Sequence, residues 1–422
     1  MTGHPGNSRH LWRVNRLAVL NMIKENEPVS RRQLAKATGL TPPAITGIVR
    51  DLLEAGFVRE VGLGRSDGGR KPVKLRLNPE AGYVVGVEVT RQETAVGMAD
   101  LMHMPQGWGI KALDMSDPDA GIGALADAVC EAVNAAARDG RRVLGVGVAF
   151  PGLLDIAAGE VVRSINLGPA WRGIALRQRL TEKIGLPVFI ENNSNAAALA
   201  ERWFGSGKEC RDLAYLNLGE GISAGVILGD QVVQGFRGHA GEVGHTVILE
   251  DGPRCNCGNR GCLEAICGLP ALQRRLTEKA PRLGEDDPLG RLWRERGAAD
   301  LADAAAAAAA AGGWARKFFQ EIGHHIGIAV ANIINHYNPE VVFLGGKLAA
   351  MAGTVLLGTV IETAHRHAFP EVARETRIAL SALGSCSGYA GACALALREL
   401  FQSPRAEILA WSAESCPAGS GR

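Results

Sequence analysis

No apolar run in this 422-residue chain is long and uninterrupted enough to span a bilayer. Its opening residues, Met-Thr-Gly-His-Pro-Gly-Asn-Ser-Arg-His, lack the apolar segment of a secretion signal. Both absences point to a cytoplasmic protein with no membrane partner. A disulfide framework is missing as well. Three of the nine cysteines crowd one short motif, and Cys130, Cys210, Cys267, Cys386, Cys393 and Cys416 are scattered like reduced thiols. The length leaves room for two or three domains, each with its own core.

Net charge is also small, at +2, but it is unevenly spread. Residues 1–78 hold fourteen Lys or Arg against six acids, a balance of +8, and the remainder carries 32 basic against 38 acidic residues. A basic head on a mildly acidic body implies a polyanion partner for the head. Pattern strengthens that reading. Leu11, Val14, Leu17, Ala18 and Met22 recur at helical spacing. Ser30-Arg-Arg-Gln33 reads as a capping box opening a short helix to about Thr38, and Gly39 supplies a turn. Thr41-Pro42 then caps and starts a second helix with Ile45, Ile48, Val49, Leu52 and Leu53 inward, ending at Gly56. Two short helices joined by a tight turn form a helix-turn-helix, whose second helix enters a major groove. Its outward face offers Thr41, Ala44, Thr46, Gly47 and Arg50. Alternating runs at 57–61 and 73–77 flank the tip Gly64-Arg65-Ser-Asp-Gly-Gly-Arg70-Lys71-Pro72 and read as a wing. Arg65, Arg70 and Lys71 there are candidates for backbone or minor-groove contacts with double-stranded operator DNA.

After a link at 78–80, strand-like runs at 83–89, 143–149, 188–191, 214–218, 225–228 and 341–344 alternate with helical stretches at 122–138, 174–184 and 195–204. That alternation argues α/β layers. The alanine run 304–311 reads as a packed helix, and the last twenty residues as a loose tail. One stretch carries the clearest chemistry. Gly238-His-Ala-Gly-Glu242-Val-Gly-His245, followed by Cys255-Asn-Cys257-Gly-Asn-Arg-Gly-Cys262-Leu-Glu264, supplies one imidazole and three thiols within eighteen residues. That is the ligand set of a closed, tetrahedral structural zinc site: His245, Cys255, Cys257 and Cys262. Glu242 and Glu264 flank it, so the metal would fix two carboxylates able to accept hydrogen bonds from a polyol.

These residues resemble the zinc and sugar signature of the ROK family, which groups sugar kinases with sugar-responsive repressors. Further pieces match in order: Gly145-Val-Gly-Val-Ala-Phe-Pro151-Gly152, Asn166-Leu-Gly, Glu191-Asn-Asn-Ser-Asn195, Gly219-Glu-Gly-Ile-Ser-Ala-Gly225 and Asn338-Pro-Glu-Val-Val-Phe-Leu-Gly345-Gly346. The basic head, down to Gly-Gly-Arg-Lys-Pro, is similar to that of ROK repressors. The resemblance implies an α/β architecture of an N-terminal winged helix-turn-helix (1–78) followed by a two-lobed, actin-like (ribonuclease H-like) sugar-kinase fold (82–400), with a tail at 401–422. It further implies a sugar in the cleft between lobes, faced by Asn166, Asn192, Asn193, Glu242, His245 and Glu264, with His245 serving both metal and ligand.

Three departures from the kinase pattern remove phosphotransfer. Where the kinases have Asp-x-Gly-Gly-Thr, this chain has Glu88-Val-Thr90-Arg91-Gln92, with side chains where backbone amides must approach phosphates. Asn193 stands in place of the aspartate that would take the hydroxyl proton, and an amide is no base near pH 7. Glu220 puts a carboxylate into the second phosphate loop, where a polyphosphate would be repelled. The expected function is therefore a sugar-controlled, DNA-binding regulator of the repressor kind, acting as a homodimer or homotetramer, with no catalytic residue. The alternative is an active ATP-dependent sugar kinase carrying a DNA-binding head.

Overall fold

The computed structural model describes residues 8–64, 71–91, 93–310 and 313–402. At the N-terminus the capping signals fix the turns. Helix α1 (Ser8–Asn26) leads through a short strand β1 (Val29–Ser30) into α2 (Arg31–Thr38) and α3 (Pro42–Glu54), followed by the hairpin β2 (Val58–Leu63) and β3 (Val73–Leu77). The Ser30 hydroxyl accepts from the Gln33 amide and the Gln33 side chain accepts from the Ser30 amide at 3.0 Å, so the capping box is complete. Gly39 closes α2 at φ +70°, a left-handed conformation that glycine adopts without steric cost. Thr41 caps α3, with Pro42 at its first position. Ile45, Ile48, Val49 and Leu52 are buried, and the three strands pair in the order β1-β3-β2. This is a winged helix-turn-helix.

The first helix departs from its expected stripe. Val19, Leu20 and Ile23 are its buried residues, whereas Leu11 (56% exposed) and Val14 (38%) face solvent, as does Ala18. Only the C-terminal half of α1 has a surface to pack on, so the apolar set centred there is the one that is buried.

The first lobe of the body comprises β4 (Tyr83–Val89), β5 (Thr94–Asp100), β6 (Gln106–Lys111), α4 (Pro118–Arg138), β7 (Val143–Phe150), the hairpin β8 (Leu153–Asp155) and β9 (Glu160–Arg163), α5 (Leu176–Ile184) and β10 (Val188–Asn192). Its main sheet runs β10-β7-β4-β5-β6, parallel across the first three strands. Helix α6 (Asn193–Trp203) then crosses to the second lobe. That lobe holds β11 (Leu213–Leu218), β12 (Ile222–Leu228), β13 (Gln231–Val232), α7 (Leu263–Cys267), α8 (Leu269–Lys279), α9 (Pro288–Arg296), α10 (Leu301–Ala310), α11 (Gly313–Tyr337), β14 (Val341–Gly345), α12 (Gly346–His367), α13 (Pro370–Glu375) and β15 (Arg377–Leu380). Its sheet runs β13-β12-β11-β14-β15. The last helix, α14 (Ser387–Gln402), returns to the first lobe and lies directly on its sheet. A Cβ on Gly147 would stand 1.8 Å from the Ala392 carbonyl, so only glycine lets helix and strand meet at that distance.

Strands β5, β6 and β15 and helices α8 and α9 carry no clear signal in the sequence. In β5 the first six residues are all buried, so no alternation marks it, and β6 is broken by Gly107 and Gly109. The alanine-rich α10 does pack in the second lobe, against α11 and α12. Helices α4 and α12 are long and apolar enough to cross a membrane by length and composition alone. Both are core helices here, with residues in the first-lobe and second-lobe clusters respectively.

Head and body share a continuous apolar cluster. Phe401, next to the end of α14 and inside the stretch expected to be tail, is 3% exposed and its carbonyl accepts from Asn21 of α1 at 2.8 Å. The Lys24 ammonium lies 3.8 Å from the Trp203 ring centroid and 4.7 Å from that of Phe401. Burial between them pulls its pKa down to about 8.

Candidate functional site

The residues expected around the cleft come from the loop after β9 (Asn166), the strand end and start of α6 (Asn192, Asn193), the loop after β13 (Glu242, His245) and α7 (Glu264). Asn192 caps α6: its Oδ1 accepts from the Ser194 amide, while its Nδ2 donates to the Gly152 carbonyl at 3.1 Å. Beneath it Glu191, fully buried, accepts from the Asn192 amide, from Asn195 and from Gln234. Burial raises the Glu191 pKa, and these donors oppose the rise. Asn193 donates from Nδ2 to the Val89 carbonyl at 3.0 Å, and its Oδ1 is buried with no partner. A buried acceptor of this kind lacks only a donor, which a hydroxyl supplies.

Across the cleft, Glu264 accepts from the Ile222 amide at 3.0 Å. A Cβ placed on Gly221 would lie 3.1 Å from Glu264 Oε2 and 3.6 Å from Asn166 Nδ2, which brings Asn166 and Glu264 to one point. Burial raises the pKa of Glu242; His245 opposes that rise and the nearby Glu264 adds to it. The six expected cleft residues thus fall into two groups, Asn192 with Asn193, and Asn166, Glu242, His245 with Glu264.

His245 has two faces. Its Nε2 lies 3.9 Å from Glu242 Oε2 and its Nδ1 3.6 Å from Cys255 Sγ. Cys257 Sγ and Cys262 Sγ stand 3.7 Å apart, and all four donor atoms fall within 4.8 Å of one another. Around a tetrahedral zinc with bonds of about 2.3 Å to sulfur, neighbouring sulfurs sit roughly 3.8 Å apart. The donor set therefore fits that ion in both chemistry and spacing.

Two of the three departures from the kinase pattern acquire a structural form, Asn193 as described above and the β4–β5 turn. Thr90 and Glu93 close the β4–β5 turn, with the Thr90 hydroxyl donating to the Glu93 carbonyl at 2.8 Å and accepting from its amide. Side chain and backbone are thereby spent on each other. Glu88 sits just below, its pKa raised to about 7 by burial and by Glu93, with Lys347 opposing. Ser223 replaces the last glycine of the second phosphate loop, and Ser194 replaces the alanine of the Glu-Asn-Asp-Ala-Asn motif. Their hydroxyls bond each other at 2.5 Å. Sequence reasoning placed Ser194, Ser223 and Gly152 within motifs without giving them a role, and missed Gln234 altogether. Two separate replacements give no sign of being neighbours until α6 is laid against β12.

On the head, Thr41, Thr46, Arg50 and Lys71 are all exposed, and Arg65 and Arg70 lie outside the described residues. Thr46 donates to the Pro42 carbonyl at 2.8 Å. Among the described residues the Arg50 side chain, 70% exposed, has only loose contacts with Asp51 and Glu54 on its own helix, at 3.6 and 4.0 Å.

Residues 118–399 match the family model described as the ROK family, and residues 13–59 match that of a winged helix-turn-helix DNA-binding domain. The chain belongs to the ROK family. Among its ROK relatives, the xylose repressor of Caldicellulosiruptor bescii is 30% identical over 402 residues, spanning 94% of this chain and 99% of that protein. A crystal structure of a ROK family transcriptional regulator, a homolog of the E. coli MLC protein, superposes with a TM-score of 0.82 at 26% identity over 95% of this chain and 98% of that one. A ROK family glucokinase from Streptomyces griseus, in complex with glucose and AMPPNP, gives 0.64 at 27% identity over 74% of this chain and 99% of the kinase. A quarter of the present chain thus has no counterpart in that kinase.

Proposed function

We propose that this ROK protein is a transcriptional repressor whose winged head binds operator DNA within a homodimer or homotetramer, and whose cleft binds a sugar that controls operator affinity. The observation that carries the reading is Asn193. Its amide is committed to the Val89 carbonyl and its Oδ1 lies buried and unpartnered, so the residue suits a ligand hydroxyl and cannot act as a base. Asn166, Asn192, Glu242, His245 and Glu264 would supply the remaining hydroxyl contacts. Zinc held by His245, Cys255, Cys257 and Cys262 would be structural, holding the imidazole that faces Glu242. The ROK repressors that resemble the chain end to end support this reading over a kinase, as does a phosphate turn closed by Thr90 and Glu93.

Helix α6 gives the signal a short route. Its first residue is Asn193, and its last, Trp203, lies against Lys24 of the head. Eleven residues span about 16 Å at 1.5 Å per residue. A sugar can release DNA only by favouring the arrangement that DNA disfavours.

Thermal shift against a panel led by D-xylose, the sugar named for relatives, tests the effector. A ligand at a hundred times its dissociation constant adds about 2.7 kcal/mol. No stabilisation by any sugar, and operator binding indifferent to all of them, would refute sugar control. Robust turnover of labelled ATP by the wild-type protein would instead establish a kinase carrying a DNA-binding head.

A further inference from the structure

A second cavity, of about 310 Å³, opens between the edge strand β10, strand β13 and the C-terminal half of α14. None of the six cleft residues lines it. Its walls combine a fork donor with amides. Arg398 is 9% exposed, and the one acceptor it holds is Glu399 Oε1, at 3.0 Å from Nη2. Among the described residues the other guanidinium N–H groups have no protein acceptor and open on the cavity, while the charge also faces the Glu191 carboxylate and favours its ionised form. A buried guanidinium with open donors favours a carboxylate or phosphate, which it meets two bonds at a time. Arg177 also lines the cavity, but its N–H groups serve the Ile156 and Ala157 carbonyls, so it contributes charge more than donors. Gln231, Gln234 and Gln402 add amides that pair with hydroxyls, and Phe189 adds an apolar face. The volume lies at the lower end of ligand pockets and suits a monosaccharide-sized guest.

We infer that this cavity is a second ligand site, for a small polyhydroxy anion such as a sugar acid or a sugar phosphate, distinct from the cleft and regulating it. The anionic group meets Arg398, with Glu399 fixing the orientation of the guanidinium, and the hydroxyls meet the glutamines. Two connections make the site regulatory. Gln234 donates to Glu191 Oε2, and the other oxygen of Glu191 holds the Asn192 amide and Asn195. Arg398 and Gln402 flank Phe401 on α14, against which α1 of the head packs. Occupancy thus bears on the cleft motif from one wall and on the head from another. By linkage, any effect on sugar affinity is matched by an equal effect of sugar on the affinity for the anion. The inference goes beyond sugar control of the cleft and stands whichever effector the cleft takes.

Calorimetric titration of the full-length protein with D-gluconate, D-ribose 5-phosphate and neutral sorbitol tests it. Saturable binding of at least one anion and none of sorbitol is expected. Arg398→Gln weakens that binding at least tenfold, while Asn166→Ala, which damages the cleft away from the Glu191 relay, leaves it within twofold. Gln402→Trp, at the exposed rim, fills the cavity without touching the buried arginine and blocks binding even if Arg398→Gln fails to fold. Gluconate binding assigns a sugar acid, and ribose 5-phosphate binding a sugar phosphate. The inference fails if neither anion binds at 10 mM (about a hundred times a 0.1 mM dissociation constant), if sorbitol binds equally, or if Asn166→Ala abolishes binding that Arg398→Gln and Gln402→Trp leave intact.

Discussion

Asn193→Asp changes one amide nitrogen to oxygen in almost the same volume, so its consequences are electrostatic. In the native protein the amide donates to the Val89 carbonyl at 3.0 Å, and the other atom, Oδ1, is already buried and unpartnered. An ionised aspartate would face a carbonyl oxygen with no proton between them. Losing the hydrogen bond and leaving its acceptor unmet costs about 1–3 kcal/mol. The cost falls on the charged form, so the folded pKa of the new carboxyl rises above its unfolded value of about 3.9. Protonated, the group can donate to Val89 and recover the bond. The folded state then holds a proton that the unfolded state releases, so stability falls as pH rises from about 4 through the folded pKa. Urea unfolding at pH 8 is expected to show the full loss, and at pH 5 a smaller one. Asn193→Ala serves as control, with a loss that does not vary with pH. Equal stability of Asn193→Asp and wild type at both pH values would refute the assigned contact. The same variant, given labelled ATP and sugar, is expected to stay inactive because the β4–β5 turn remains closed. A gain of a hundredfold would place the whole catalytic deficit on this one atom.

Other outcomes follow from single contacts. Burial raises the Glu88 pKa to about 7, so Glu88→Gln should add nothing to stability near pH 4.5 and roughly 3 kcal/mol above pH 7; a gain that does not vary with pH would contradict the burial argument. Arg50→Ala and Lys71→Ala should each weaken operator binding and flatten its dependence on salt, by close to one unit of slope for every phosphate left unneutralised; unchanged slopes would move the DNA surface elsewhere. Cys257→Ser should release zinc, read by metal analysis, and abolish the sugar response; a normal response from metal-free protein would limit the cluster to local structure. Lys24→Met should leave sugar and operator binding each intact while weakening the effect of one on the other, since it loosens the junction of α6, α14 and α1; unchanged coupling in gel shifts with and without sugar would exclude that route.

Much of this protein is legible where local chemistry dictates local structure. Ser30 with Gln33, Gly39, and Thr41 with Pro42 fix the helix-turn-helix within a dozen residues, because capping and φ preferences act over one turn of chain. The metal cluster is legible for a similar reason, as four donors lie within eighteen residues of each other. The α1 stripe misleads because helical periodicity is blind to where the partner surface ends, and only Val19, Leu20 and Ile23 meet one. Strand β5 escapes notice because burial on both faces removes the alternation that marks a strand.

What the amino-acid order determined alone was therefore the inventory: a basic winged head, an α/β body, a Cys3His cluster and a cleft motif bearing asparagine where a base would stand. Tertiary structure decided the rest, since it depends on residues far apart in the chain. The lone Asn193 acceptor exists because Val89 comes within 3.0 Å of its amide; Ser194 meets Ser223 because α6 packs on β12; and Arg398 is enclosed with open donors because α14 returns, more than two hundred residues later, to the edge of the strand that carries Glu191. Such juxtapositions arise from burial of apolar faces against one another, and no local preference encodes them.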